Sequence, residues 1–348
     1  MLSESSTNSI EIYTPYPWQQ CHWQRFQQQV NQKKRPHALL LNGQRGIGKW
    51  DFARLLAYSL LCVNGGTDLA CGRCRGCLLN KAETHPDLLL VFPEQQGKLI
   101  KIDQVRQLQE FISKTSQQGH AKVVVMGPVE ALNLHASNAL LKMLEEPAGD
   151  TLLLLVTRAL SAVTATIRSR CQLIPMTAPN EQQSLAWLES LQLTSNELNR
   201  ARQLLTLSAG APLMVKNMVT GDYANQIDHL IDGLETVQQE HSSMKVAKQW
   251  LNIDLADILE WWLQITYLLV KQRSLADGAK DETDGRTDDK DILQKLRLCC
   301  QHWSLTWLFR FSDKLLQLKQ QCLTGANFNK QLLLEELLLD WQLMGRSR

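Results

Sequence analysis

The sequence predicts an α/β fold in its first half and an all-helical fold in its second half. In the first half, apolar runs of buried-strand length, such as Ala38–Asn42 and Thr151–Thr157, alternate with segments of helical periodicity. A glycine-rich loop joins the first of these runs to a helical segment. In the second half, apolar residues recur at helical spacing, as they do between Leu334 and Trp341. Alternating strands and helices are typical of a parallel sheet with helices on both faces, arranged in three layers.

The loop after the first strand fits the phosphate-binding pattern G-x-x-x-x-G-K, which here runs from Gly43 to Lys49. The pattern continues with Ser or Thr, whose hydroxyl holds Mg²⁺, whereas Trp50 has no side-chain oxygen. A strand before the loop and a helix after it are the arrangement that directs backbone N–H groups at phosphates. The candidate nucleotide-binding residues of this degenerate loop are Gly43, Gly46, Gly48 and Lys49. Whether ATP binds stays open at this point, and a glycine-rich turn without a ligand is the alternative.

A cluster of cysteines follows the helix after the loop, and it predicts a metal site. The spacing between Cys71 and Cys77 is C-x₂-C-x₂-C, and an earlier cysteine supplies a fourth thiolate. The candidate metal ligands are Cys62, Cys71, Cys74 and Cys77. Four thiolates match tetrahedral Zn²⁺ and leave no open coordination position, so the zinc would be structural. An iron–sulfur cluster and unligated thiols are the alternatives.

The acidic residues that a P-loop ATPase needs are missing from the expected place. In such a fold an Asp at the end of an apolar strand helps to hold Mg²⁺, and a Glu beside it orients water. The candidate strand is Lys122–Met126, and Gly127-Pro128 follows it where the acidic pair would lie. The nearest acid is Glu130, which comes after the proline, and we expect it to face another way. Together with Trp50, this substitution removes both protein ligands for the metal.

The later motifs resemble a known family. Asn138–Pro147 followed by Ser169-Arg170-Cys171 is similar to the bacterial clamp-loader branch of the AAA+ ATPases, as is His85-Pro86-Asp87 beyond the cysteines. The four-cysteine insertion after the P-loop helix is shared by that branch. The resemblance covers essentially the whole chain, and it implies an AAA+ P-loop domain with a zinc insertion, followed by a small helical lid and an all-α collar.

The incomplete nucleotide motifs bear on the kind of subunit that the resemblance implies. Gamma/tau motor subunits have complete motifs, whereas the delta-prime type has the fold without the ATPase. Trp50, Gly127-Pro128 and Leu213, which stands where the lid usually carries a phosphate-contacting Arg, resemble the second type. The alternatives are an active AAA+ ATPase of the motor type and a zinc-dependent nucleic-acid-binding protein with a vestigial loop.

The resemblance then implies a set of partners. A subunit of this type belongs to the DNA polymerase III holoenzyme, a DNA-directed DNA polymerase, although the chain itself would lack ATPase activity. It would assemble with the motor subunits (gamma/tau) and the delta subunit. It would reach the sliding clamp and primer-template DNA through that complex.

Arg170 is the candidate catalytic residue. In the resembled family, the Arg of the Ser-Arg-Cys motif is a finger that reaches the ATP bound by a neighbouring subunit. A planar guanidinium stabilises charge on the transferring phosphoryl group, and such a finger contributes about 10³–10⁵ in rate. From the residues alone, a surface or interface salt bridge is the more ordinary role for such an arginine, and Arg168 is the second candidate for the finger.

The chain length of 348 residues and the composition predict several domains. We expect an AAA+ P-loop-like domain over 1–175 with its zinc module at 62–77, a helical lid over 176–220, and a helical collar for oligomerisation over 221–348. Six tryptophans lie in the collar, and we expect some of them to face partner subunits. The polar segment 277–291 predicts a loop between collar helices.

Charge and hydropathy exclude other classes of protein. The net charge of +2 argues against a strongly basic nucleic-acid binder. The polar N-terminus predicts no signal peptide, and no apolar run reaches membrane-spanning length. We therefore expect a cytoplasmic protein without a membrane partner, in which clustered cysteines bind metal rather than form disulfides.

Overall fold

The computed structural model describes residues 14–65, 68–94, 98–118, 121–220, 223–278, 303–323 and 328–344. The chain divides into two compact units, Met1–Pro179 and Asn180–Arg348. Most of the predicted 277–291 loop lies outside the described residues.

A five-stranded parallel sheet forms the centre of the first unit. Its strands are β1 (Ala38–Asn42), β2 (Leu88–Val91), β3 (Lys122–Met126), β4 (Thr151–Thr157) and β5 (Gln172–Pro175). They lie side by side in the order β2-β3-β4-β1-β5. Strands β1, β3 and β4 are buried almost throughout, as expected for strands covered by helices on both faces. The predicted α/β class is confirmed.

The register of the sheet places the carboxyl ends of three strands, β1, β4 and β5, level with one another. Asn42 at the end of β1 is level with Thr157 at the end of β4 and with Pro175 at the end of β5. In parallel sheets, the loops that follow the carboxyl ends of the strands line one edge. The loop after β1 therefore begins beside the residue that ends β4.

In the described part of the first unit, six α-helices accompany the sheet. They are α1 (Gln20–Asn31), α2 (Lys49–Leu61), α3 (Arg75–Lys81), α4 (Ile102–Ser113), α5 (Leu134–Glu145) and α6 (Ala165–Arg170). Short polar side chains cap two of them, since Asn133 accepts the Ala136 N–H at α5 and Thr164 accepts the Ile167 N–H at α6. Both helices then bury apolar residues against the sheet, including Leu140, Leu144 and Ile167. The N-termini of α5 and α6 are thus fixed by side-chain caps, and the apolar faces of both helices are fixed by core contacts.

The second unit is helical throughout its described residues. Its helices are α7 (Glu181–Ser190), α8 (Ser195–Leu207), α9 (Pro212–Thr220), α10 (Tyr223–Glu240), α11 (Ser243–Gln249), α12 (Leu255–Gly278), α13 (Leu305–Leu323) and α14 (Lys330–Met344). Capping boxes begin α7 and α8, where Asn180 pairs with Gln183 and Thr194 pairs with Glu197. The expected all-helical architecture of the second half is confirmed.

Residues on both sides of the predicted lid boundary share one apolar core. Leu204 and Met218, from the predicted lid, belong to the same buried cluster as Leu230 and Trp262, from the predicted collar. The first unit also continues to Pro179 rather than ending at residue 175. The division into lid and collar stays a prediction about domain organisation.

Four tryptophans and a phenylalanine form the centre of this core. Trp262 contacts Trp250, Trp341 and Phe311 with ring centroids 5.5, 5.6 and 5.3 Å apart, and Trp303 packs on Trp341 at 4.5 Å. Most of these contacts are edge-to-face or tilted, the geometry that aromatic quadrupoles favour.

Only one of the six tryptophans is available to a partner. Trp307 is 45% exposed, whereas the other five, Trp250, Trp261, Trp262, Trp303 and Trp341, are buried inside the unit. The expectation that some of these tryptophans face partners therefore stays open for Trp307 alone among the six. The five buried tryptophans stabilise the unit itself instead.

Trp341→Ala should destabilise the second unit far more than Trp307→Ala. Removing a fully buried tryptophan costs about 3–5 kcal/mol because it leaves a cavity among its neighbours, whereas an exposed ring loses little packing. Urea unfolding of the two variants, followed by circular dichroism, measures the difference. Equal losses of stability would contradict the aromatic core.

Candidate functional site

The loop between β1 and α2 has the backbone shape that its glycines permit. Gly46 and Gly48 have φ angles of 78° and 79°, in the left-handed region that residues with a Cβ rarely enter. Gly48 is the N-cap of α2, so the helix begins at Lys49. Ile47, between the two glycines, is fully buried and anchors the loop to the core. The loop architecture predicted from Gly43, Gly46, Gly48 and Lys49 is thus present.

A segment before α1 packs directly on this loop. The Trp18 indole N–H donates to the Ile47 carbonyl at 3.0 Å, and the buried Gln19 amide donates to the Ile47 and Gly48 carbonyls at 3.1 and 2.8 Å. The Tyr16 hydroxyl donates to the Asp51 carboxylate at 3.0 Å. No sequence pattern predicted a role for this segment. Tyr16 and Trp18 flank Pro17 in the sequence, but only the fold brings their rings together, with centroids 5.0 Å apart, and places them on the loop.

Lys49 and Trp50 close the loop without offering a metal ligand. The Lys49 side chain is 5% exposed, and its ammonium donates to the Gln44 carbonyl within the same loop. Trp50 is half-buried in the first turn of α2 and carries no oxygen. In this structure the lysine therefore holds the loop together, and the hydroxyl that would bind Mg²⁺ is replaced by an indole.

The end of β3 has no space for the missing carboxylate. A Cβ at Gly127 would lie 2.6 Å from the Val156 carbonyl oxygen and 3.0 Å from the Val156 side chain. Real Cβ contacts are longer than the first of these distances, so any side chain here would displace the backbone of β4. The packing of β3 against β4 therefore leaves no room for an acidic side chain at position 127.

Glu130, the nearest acid, is engaged elsewhere. One of its oxygens accepts the Thr157 hydroxyl at 2.7 Å, and the other accepts the Arg158 backbone N–H at 3.0 Å. The side chain is buried. Both contacts tie the turn after β3 to the end of β4. Glu130 is thus a structural link in this chain, as expected from its position after Pro128.

Arg170 is the last residue of α6, and its guanidinium is tied to its own chain. Its Nη2 lies 2.6 Å from an oxygen of Glu145, and its Nη1 donates to the Thr166 carbonyl at 3.1 Å and to the Ser169 hydroxyl at 3.3 Å. About a third of its side chain, 35%, remains exposed. The neighbouring Arg168 is exposed. The link from Arg170 to Glu145 joins two residues that lie 25 positions apart in two different motifs, and no sequence pattern predicted it.

Cys171, the third residue of the Ser-Arg-Cys motif, is a packing residue. Burial raises the pKa of its thiol to about 12, so the thiol stays protonated at neutral pH. The side chain packs against the core under the sheet. Its contribution is to fix the turn in which Arg170 ends α6.

The four predicted metal ligands come together at one point. The Sγ atoms of Cys62, Cys71, Cys74 and Cys77 all lie within 4.8 Å of one another. The Cys62–Cys74 and Cys71–Cys77 sulfur distances are 3.8 and 3.9 Å. Metal–sulfur bonds of about 2.3 Å in a tetrahedron imply sulfur separations of about 3.8 Å. The residues present therefore fit a metal ion held by four thiolates.

Backbone N–H groups support the thiolate form of part of this cluster. The Cys71 N–H points at the Cys62 sulfur at 3.3 Å, and the Cys77 N–H points at the Cys74 sulfur at 3.4 Å. The N–H groups of Arg73 and Cys74 lower the pKa of the Cys71 thiol to about 6. Burial raises the pKa of Cys77. Because a bound cation needs all four thiolates, metal binding would release protons, mainly from the buried thiols.

Two family models and several curated relatives match the chain. A family model described as DNA polymerase III, delta subunit, matches residues 18–180, and one described as its C terminal matches residues 222–342. A relative from Pseudomonas aeruginosa PAO1, DNA polymerase III subunit delta', is 36% identical over 327 residues, which are 94% of this chain and 97% of the relative. The chain belongs to the DNA polymerase III subunit delta' family.

More distant proteins align over similar lengths. The delta' subunit of Escherichia coli K12 is 30% identical over 326 residues, which cover 93% of this chain and 94% of that subunit. A solved structure of a gamma-subunit-related protein from Thermotoga maritima aligns with 94% of this delta' family chain and 100% of its own, at 20% identity and a TM-score of 0.41. In the parts of the chain that the structure describes, no helix has the length and apolar character needed to cross a membrane.

Cys74→Ser should remove the bound metal ion, whereas Cys21→Ser should not. Cys74 is one of the four converging sulfurs and caps α3, while Cys21 is exposed and outside the cluster. Elemental analysis of the purified chains measures the ratio of metal to protein. We expect one ion per chain in the parent and in Cys21→Ser, and a large loss in Cys74→Ser. An unchanged ratio in Cys74→Ser would reject the four-thiolate site.

Proposed function

We propose that this chain is a non-hydrolysing clamp-loader subunit of the DNA polymerase III holoenzyme. It assembles with motor subunits (gamma/tau) and the delta subunit, and the complex places the sliding clamp on primed DNA during replication. The observation that carries the proposal is the close approach of Gly127 to Val156, which excludes a carboxylate from the Mg²⁺ position. Membership in the delta' family supports the same role.

The loop serves as architecture in this proposal. Its glycines, the Lys49–Gln44 contact and the Tyr16–Gln19 segment hold β1 and α2 in the arrangement of a P-loop fold. ATP hydrolysis needs a correctly placed metal ion as well as a cradle for phosphates. Because Trp50 and Gly127 stand where the two protein ligands of Mg²⁺ would be, the chain retains the phosphate-binding loop but not the ligands for Mg²⁺.

Arg170 acts on phosphate bound by a neighbouring subunit. Its side chain is partly exposed at the end of α6, where a phosphoryl group from a second chain can reach it. A guanidinium in that position stabilises the charge that develops on the transferring phosphoryl group. The residue therefore contributes to catalysis only in the assembled complex.

The metal held by the cysteine cluster is Zn²⁺ with a structural role. Four thiolates in a closed tetrahedron are typical of structural zinc and leave no position for a substrate. The ion would join the end of α2 to α3 and fix the insertion between them. The chain works in the bacterial cytoplasm, with the clamp and primer-template DNA reached through the complex.

The second candidate function is that of an active ATPase of the motor type. The positive φ angles of Gly46 and Gly48, together with a lysine at the right position, favour it. It would need water to replace both missing ligands, or Glu130 to leave its contacts with Thr157 and Arg158.

The purified chain alone should show no ATP turnover, because the metal ligands are missing. Steady-state phosphate release, measured with Mg²⁺ and primed DNA, tests this expectation. The matched control is Lys49→Ala, which should leave the background rate unchanged. Turnover by the parent that Lys49→Ala abolishes would support the motor type instead.

Arg170→Ala should lower the DNA-stimulated ATPase of the reconstituted complex while leaving its assembly intact. The loss falls on the site of one neighbour, since this chain supplies one finger, and we expect at least a several-fold drop there. Arg168→Ala is the matched control, because it removes the same charge two residues earlier. Size-exclusion chromatography verifies assembly, and a normal rate in Arg170→Ala would contradict the finger role.

A further inference from the structure

The ion pair between Glu145 and Arg170 joins the two motifs on which the family resemblance depends. Glu145 is the last residue of α5, within the segment Asn138–Pro147, and Arg170 is the last residue of α6. Their closest atoms, Oε1 and Nη2, are 2.6 Å apart. Glu145 has no role of its own in ATP hydrolysis under the proposed function, and its contact with Arg170 is the observation to be explained.

Helix stability does not explain an acid at the position of Glu145. The C-terminus of a helix carries a partial negative charge, so a carboxylate there is disfavoured and a cation is favoured. Arg170 at the end of α6 satisfies this rule, whereas Glu145 at the end of α5 opposes it. The acid therefore gains its benefit from the guanidinium rather than from its own helix.

The backbones on both sides of the pair are held in place by the core. Leu144, which precedes Glu145, is buried, and its carbonyl lies 3.1 Å from the Nε2 atom of His37. Ile167 is buried one turn before Arg170. Since both anchors are fixed, less conformational freedom is lost when the two side chains meet than for a pair on mobile segments.

The contacts leave part of the guanidinium available to a phosphate. Among the described residues, Nη1 donates to Thr166 and Ser169, and Nη2 contacts Glu145. An arginine has five N–H groups, so two remain for a second acceptor. Both side chains remain partly open to solvent, since they are 35% and 50% exposed, so the pair leaves a path by which a phosphate can approach the guanidinium.

We propose that Glu145 is a positioning residue that orients Arg170 toward the phosphates of the neighbouring subunit. The carboxylate holds one edge of the guanidinium and so presents the remaining N–H groups in a fixed direction. This inference rests on the proposed function, because it requires that Arg170 acts in trans. It adds that the finger is prepared within its own chain before a neighbour binds.

A double-mutant cycle in the reconstituted complex tests the proposal. Glu145→Ala should lower the kcat of DNA-stimulated ATP hydrolysis at the site that Arg170 serves about two- to five-fold, the range that a half-exposed ion pair supports, with the KM for ATP little changed. In an Arg170→Ala background, the same substitution should have no further effect, because it acts through the arginine. Glu145→Gln, which keeps a hydrogen-bond acceptor, should retain part of the rate.

Glu146→Ala is the matched control for charge. It removes an acid from the next position, which takes part in no ion pair among the described residues, and we expect the parental rate. A loss that is equal in both backgrounds, or an unchanged or raised rate in Glu145→Ala, would overturn the positioning role while leaving the finger in place. If Arg170→Ala itself retained full activity, the role of Arg170 in the proposed function would be contradicted as well. This result differs from one in which only the Glu145 variants behave unexpectedly, so the two outcomes can be told apart. Thermal unfolding of each variant verifies that the fold is intact.

Discussion

The pairing of β1 with both β4 and β5 is the constraint on which the other features of the first unit depend. The glycine loop leaves the end of β1, Thr157 ends β4 beside it, and Arg170 lies just before β5. The buried leucines of β1 set this register, because a shift would break parallel pairing on both sides. The glycine loop, the end of β4 and the segment that carries Arg170 are therefore placed relative to one another by the pairing of one short buried strand.

Around the loop, contacts within the protein take the places that nucleotide chemistry would use. Lys49 bonds to its own loop, Glu130 bonds to the end of β4, and Tyr16 bonds to Asp51. Each contact gives a polar group in or beside the loop a partner within the protein, and this matters most for the buried Lys49 and Glu130, because an unsatisfied buried polar group is costly. The phosphate-binding architecture is thereby stable without a ligand. These contacts hold the loop in its P-loop shape whether or not a nucleotide binds there.

Local patterns in the sequence predicted the features that depend on neighbours along the chain. The strand Lys122–Met126 and the four-cysteine cluster are confirmed because a run of apolar residues and a fixed spacing of thiols each suffice to specify them. The link from Glu145 to Arg170 and the packing of Trp18 on the loop could not be predicted in this way. They join segments far apart in sequence, and they depend on side-chain directions that only the folded chain sets. Which tryptophans are buried could not be predicted for a related reason, since helical spacing alone does not say which face of a helix another helix covers.

The close approach of Gly127 to Val156 also limits which substitutions the chain can accept at position 127. A single substitution to Asp at position 127 would force β4 to move, and β4 pairs with the strand that carries the loop. The strands beside position 127 would have to shift before such a side chain could be accommodated. The packing of β3 against β4 therefore opposes the introduction of an acid at this position, whatever residues occupy the loop after β1.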